Sequence, residues 1–127
     1  MAIFLAYYIF RRNVKSVMTK KESLFYLVQR YCVGEYEIPT LCDAFYEIYY
    51  PDRPIDELTE PEFRIFEKMA KTVDRFSEFE SDHKMCPNAF STEEEVDAAV
   101  REAAEELERE SPDYMDYIER GSKCKRR

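Results

Sequence analysis

Residues 58–77, LTEPEFRIFEKMAKTVDRFS, decide the fold. Thr59 is a natural helix N-cap and Glu62 stands three residues later, so each side chain can accept an orphan backbone N–H from the other, a capping box. Leu58 and Phe63 flank the box in the positions of a hydrophobic staple. Pro61 falls in the first turn, where its missing N–H costs nothing. Phe63, Phe66, Met69, Ala70, Val73 and Phe76 then recur at helical spacing and form one broad apolar stripe. A stripe that rich must be buried, so the rest of the chain has to supply the elements that cover it.

Upstream, Pro39 stands at a favourable early position of another helix, whose inward face carries Leu41, Cys42, Phe45, Ile48 and Tyr49 before Pro51 stops it. Residues 51–57, PDRPIDE, form a short, proline-stiffened, acidic connection. Further upstream, Thr19-Lys20-Lys21-Glu22 is a second capping box, leading into Leu24, Leu27, Val28 and Tyr31 at i, i+3, i+4 and i+7. That spacing predicts a helix over about residues 20–33, with Gly34 as a left-handed terminator.

Downstream, EFESDHKMCPNA, residues 78–89, is the longest irregular segment and lies between Phe76 and Phe90. Ordered loops of this length are often functional, though buried aromatics can also pin a plain crossover. Either Ser91 or Thr92 can cap the next helix, where Glu93, Glu94 and Glu95 suit the positive end of its dipole. Its stripe is Val96, Ala99, Val100, Ala103, Ala104 and Leu107. Asp97 to Arg101 and Glu105 to Arg109 are i,i+4 pairs in the favourable order. Ser111-Pro112-Asp113 opens a short C-terminal helix ending at about Arg120, and SKCKRR follows as a basic tail. The expected fold is all-α, a compact antiparallel bundle of four main helices with that short helix added.

Residues 18–110 form the expected domain, and residues 111–127 the short helix and tail. Residues 1–10, MAIFLAYYIF, are apolar, but a helical bilayer span needs about 20 residues. The charges Arg11 and Arg12 follow the apolar run instead of preceding it, which is the wrong order for a signal peptide. Residues 1–17 read either as an extra docked element or as an extension before a start at Met18, and the second reading is preferred because MTKKE opens the first capped helix at once.

The net charge of −8 conceals segregation: residues 35–110 carry 23 acids against 8 bases, while both ends are mildly basic. An acidic body repels nucleic acid and attracts basic partners. Cys32, Cys42, Cys86 and Cys124 show no CxxC spacing, which fits reduced cytoplasmic thiols better than disulfides or zinc. His83 is the only histidine, so a triad, a zinc site or histidine acid–base chemistry would rest on it alone. It reads better as a solvated or loop-stapling side chain. Phosphate loops, nucleophile elbows and HExxH are all missing, so no enzyme, cofactor or metal is expected.

Two acidic clusters remain. Asp43, Tyr46, Glu47 and Tyr50 face away from Phe45 and Ile48, and continue into Asp52, Asp56 and Glu57. Aromatics among acids have the composition of interface anchors steered towards a basic partner; the plain alternative is a solvated face. Asp74, Glu78, Glu80 and Asp82 gather where carboxylates oppose the helix dipole, a conflict that Arg75 could partly neutralise.

The succession of a capped helix, LCDAFYEIYY, the acidic turn, LTEPEFRIFEKMAKTVDRFS, then Asp82, Pro87 and Phe90, then STEEEVDAAVREAAEEL, resembles the small helical immunity proteins of bacteria. Within them it is most similar to the colicin D-like group and the contact-dependent growth inhibition type, over about residues 18–108. The resemblance implies a monomeric cytoplasmic bacteriocin immunity protein, a toxin inhibitor that binds a cognate nuclease domain, with no membrane or nucleic acid as partner. A different reading is a small acidic adaptor or regulator of a basic host protein.

Overall fold

The computed structural model describes residues 19–51 and 56–120, with side chains to residue 116. Six helices account for most of them: α1 (Lys20–Cys32), α2 (Ile38–Tyr49), α3 (Glu60–Val73), α4 (Glu80–Met85), α5 (Glu93–Glu110) and α6 (Pro112–Arg120). The described residues contain no strand, only an isolated parallel bridge between Phe76 and Ser91. The readings of residues 1–17 and of the basic tail lie outside the described residues.

Local chemistry sets the ends of these helices. Thr19, Thr59 and Thr92 each accept the N–H of a glutamate three residues on, and Glu22, Glu62 and Glu95 each return the bond to the cap backbone. The capping hydroxyl of α5 is therefore Thr92, and its box is complete. Val33 caps α1, after which Gly34 at φ 92° turns the chain through the left-handed region. The N–H groups of Gly34 and Glu35 return to the carbonyls of Tyr31 and Arg30, both at 2.9 Å.

Apolar stripes from five of the helices meet in one core. α3 packs most extensively on α5, while α1 contacts α2, α5 and α6. Phe66, Met69, Ala70 and Val73 of α3 are buried as the periodicity predicts, together with Ile65; Phe63 and Phe76 pack half-buried at its margins. From α5 come Val96, Val100, Ala103, Ala104 and Leu107. Phe25 lies between two partners, stacked on Phe66 at 6.2 Å and edge-on to Tyr114 at 5.1 Å. Tyr114 is fully buried, so α6 belongs to the same core and does not stand apart from it.

Tyrosine hydroxyls tie the helices together at the core's edge. Tyr49 donates to Glu67 at 2.6 Å, joining α2 to α3, and Tyr31 donates to Asp97, joining α1 to α5. Burial, reinforced by the Asp97 carboxylate, pushes the Tyr31 phenol well above its ordinary value.

A polar node closes the end of the core near the start of α3. Glu62 is almost fully buried, and its Oε1 accepts from the Thr59 N–H at 2.9 Å and from the Lys21 ammonium at 3.1 Å. Its Oε2 accepts from the Ser111 hydroxyl. Lys21 also reaches Asp113 at 2.8 Å. One carboxylate thereby joins α1, α3 and the junction between α5 and α6, so its desolvation is balanced by three donors.

The irregular segment expected over residues 78–89 is partly helical. α4 occupies Glu80–Met85 and buries none of its residues, so no apolar stripe could announce it. What holds it is polar: Ser77 donates to Asp82 at 2.5 Å, and His83 donates from Nε2 to the Ser77 carbonyl at 2.8 Å. His83 is thus the staple of this loop, with Phe90 edge-on to its ring at 6.1 Å.

Candidate protein-interaction groove

The C-terminal end of α3 and the turn into α4 lie against the outer face of α2, and a groove of about 490 Å³ opens between them. Its apolar lining comes from Pro39 and Cys42 of α2, Val73 of α3, and Phe76, Phe79 and Phe90 of the connection. Asp43 and Tyr46 of α2 contribute from one side, and Asp74, Glu78 and Asp82 from the other. Among the described residues, no lysine or arginine takes part in the lining. Packing therefore brings Asp43 and Tyr46 of the first acidic cluster together with Asp74, Glu78 and Asp82 of the second, about thirty residues further along the sequence, in one site.

The side chains are held in place by neutral donors. Tyr50 donates its hydroxyl to Asp74 Oδ2, and Ser77 donates to Asp82 Oδ2 while accepting the Phe79 N–H at 3.2 Å. Ser91 closes the base of the connection, its N–H donating to the Arg75 carbonyl at 2.8 Å. Asp82 lies in the first turn of α4, where its charge favours the helix dipole instead of opposing it. Tyr46 and Phe79 are 62% and 61% exposed, an unusual state for large aromatics and one found here on both sides of a single groove.

Several expectations change. Tyr50 is half-buried, not an exposed anchor: its ring packs edge-on to Phe45 at 6.5 Å and to Tyr49 at 5.3 Å, and its hydroxyl positions Asp74. Tyr46 leans on it at 5.0 Å. Glu47 is half-buried and does not line the groove. Asp56 and Glu57 belong to the opposite end of α3, about 20 Å away along a fourteen-residue helix. There Glu57 accepts the Lys21 N–H at 3.0 Å, a structural duty at the start of α1. Asp52 lies outside the described residues. Arg75 makes no ion pair with the cluster among the described residues and does not line the groove.

Sequence reasoning missed Phe79. Its signal was present, since Phe79 stands among Glu78, Glu80 and Asp82 as Tyr46 stands among Asp43 and Glu47. Cys42 remains a neutral part of the lining: burial, with Asp43 and Asp74 adding to it, pushes its thiol up to about 12. Among the described residues no three His, Cys, Asp or Glu side chains are placed to hold a metal ion, and no helix is long and apolar enough to cross a membrane.

The groove can hold a cationic, partly apolar group by charge and by contact with its exposed aromatic side chains. Comparisons of the chain with protein-family models, with curated proteins and with solved structures return no match.

Proposed function

We propose that this protein is a stoichiometric inhibitor of the immunity type, which binds the basic nuclease domain of a bacterial toxin and occupies its cleft in place of nucleic acid. In this reading the four longer helices act as an antiparallel bundle, monomeric and cytoplasmic, that carries the groove as a rigid surface. The observation that supports it best is the grouping of Asp43, Asp74, Glu78 and Asp82 around an apolar floor with Tyr46 and Phe79 exposed beside them. A nuclease cleft is basic because it must hold phosphates, and such a groove complements it. Charge attraction speeds the encounter, and buried aromatics slow the departure.

The test is capture of the natural partner from a host lysate with the wild-type protein and with the double variant Asp43→Lys, Glu78→Lys. The expected partner is a toxin nuclease domain, with affinity falling about a hundredfold or more in the variant because like charges then face each other. Helical circular dichroism should stay unchanged, since both side chains are exposed. Recovery of a basic housekeeping protein would replace this reading with that of an acidic adaptor.

A further inference from the structure

We propose that the groove is an arginine receptor: its occupant is an arginine side chain carried by a loop or helix of the partner protein, taken in preference to lysine. This deepens the proposed function and rests on the groove being its interface. Four features of the groove argue for a guanidinium.

The first is charge, since Asp43, Asp74, Glu78 and Asp82 line the groove and, among the described residues, no lysine or arginine does. The second is orientation. Asp74 and Asp82 are each fixed through Oδ2 by a hydroxyl of this chain, Tyr50 and Ser77, so the carboxylates are aimed before the partner arrives. Preorganised acceptors favour the planar, multiply donating guanidinium over an ammonium, which acts as a point charge. The third is that Tyr46 and Phe79, both in the lining, are largely exposed and so leave aromatic surface available to a flat cation that sheds water easily. The fourth is the apolar floor of Val73, Phe76 and Phe90, suited to the methylene stem that precedes the charge.

A metal ion is a poor competitor, because no three of these carboxylates are gathered closely enough to chelate one. A phosphate ligand is excluded by the sign of the charge.

The experiment is an NMR titration of the full protein with three blocked tripeptides, Ala-X-Ala, in which X is arginine, lysine or neutral citrulline. The arginine peptide should shift the amide signals of Asp43, Tyr46 and Phe79 saturably and bind roughly threefold or more tighter than the lysine peptide. The citrulline peptide should give no saturable shift. Tyr46→Ala should abolish the preference for arginine over lysine, while Glu105→Lys, on the exposed face of α5, should leave it intact. Equal binding of the arginine and lysine peptides overturns the proposal, as do shifts confined to other surfaces.

The two proposals fail separately. If the arginine peptide binds in the groove but charge reversal leaves partner capture intact, the interface assignment falls, and with it the partner as the source of the arginine, while the groove's preference for a guanidinium stands. If charge reversal abolishes capture but arginine and lysine bind alike, the function stands and the receptor falls.

Discussion

Glu62 caps α3 from inside the protein, and that double position makes it the most informative single residue for stability. Burial pushes its carboxyl upwards, but the Ser111 hydroxyl, the Thr59 N–H and the Lys21 ammonium together outweigh that and hold it below its ordinary value of 4.5. A lowered carboxylate pKa contributes stability that is complete above the unfolded value and is lost as pH falls through the folded one. Glu62→Gln keeps the shape but loses the charge, and should cost about 1.5 kcal/mol at pH 7; Glu62→Ala should cost about 3 kcal/mol. Urea denaturation should show the gap between wild type and Glu62→Gln shrinking as pH falls below 4.5, where the unfolded chain takes up the proton first, and closing once the native carboxyl, held lower, is protonated too. A gap that stays constant down to pH 3 would mean that packing, not charge, is what Glu62 supplies. The capping half of this role is legible in sequence because Thr59 and Glu62 are three residues apart. The buried half is not, because Ser111 lies 49 residues away and no local pattern marks the meeting. Tyr50 illustrates the same limit: helical spacing turns it outwards, yet its hydroxyl donates to Asp74 at the end of the neighbouring helix and its ring is half-buried.

Among the elements, legibility follows how local the controlling chemistry is. The four longer helices are marked by stripes, and three of them by capping boxes, that stay within each segment; their ends fall close to the expected positions except that α3 stops at Val73, short of Phe76 on the expected stripe. α4 carries neither a stripe nor a hydroxyl cap; Phe79 is its N-cap and makes no side-chain bond there. Its support from Ser77 and His83 depends on a loop conformation that periodicity does not describe. The caps make two sharp predictions. Gly34 sits at φ 92° with no atom within 4 Å of the point where a β-carbon would stand, so Gly34→Ala meets no clash and measures backbone strain alone. It should destabilise by about 1 kcal/mol, and Gly34→Asn by less, because asparagine tolerates the left-handed region. Thr92→Ala removes the acceptor for the Glu95 N–H, at 3.1 Å, and should also cost about 1 kcal/mol. Thr92→Ser, retaining the hydroxyl, should restore most of it. Equilibrium denaturation curves measure both, and an unchanged midpoint in Gly34→Ala would show that the left-handed turn is not what ends α1.

At the scale of the molecule, the proposed function would set stability against binding in the acidic groove. Elsewhere some bases neutralise acids: Lys68 meets Glu102 at 2.6 Å and Glu106 at 3.3 Å, and Arg101 meets Asp97 at 3.1 Å. Among the described residues the groove has no such partners in its lining, in a chain whose net charge is already −8. Unrelieved repulsion of this kind costs folding energy, and a local conflict without structural benefit points to a use outside the fold. Asp43 and Glu78 are the groove carboxylates that hold no hydrogen bond among the described residues, so neutralising them removes charge without removing a structural contact. The double variant Asp43→Asn, Glu78→Gln should therefore be more stable than wild type by about 0.5 kcal/mol at low salt, the advantage fading as Debye screening sets in. The same variant should capture its partner more weakly, with the loss mainly in the association rate and largest at low ionic strength. Denaturation and stopped-flow association, each run from low to high salt, measure the two effects side by side. A variant that gains stability yet associates at the wild-type rate would make this face ordinary solvated surface, and the interface would have to be sought elsewhere on the protein.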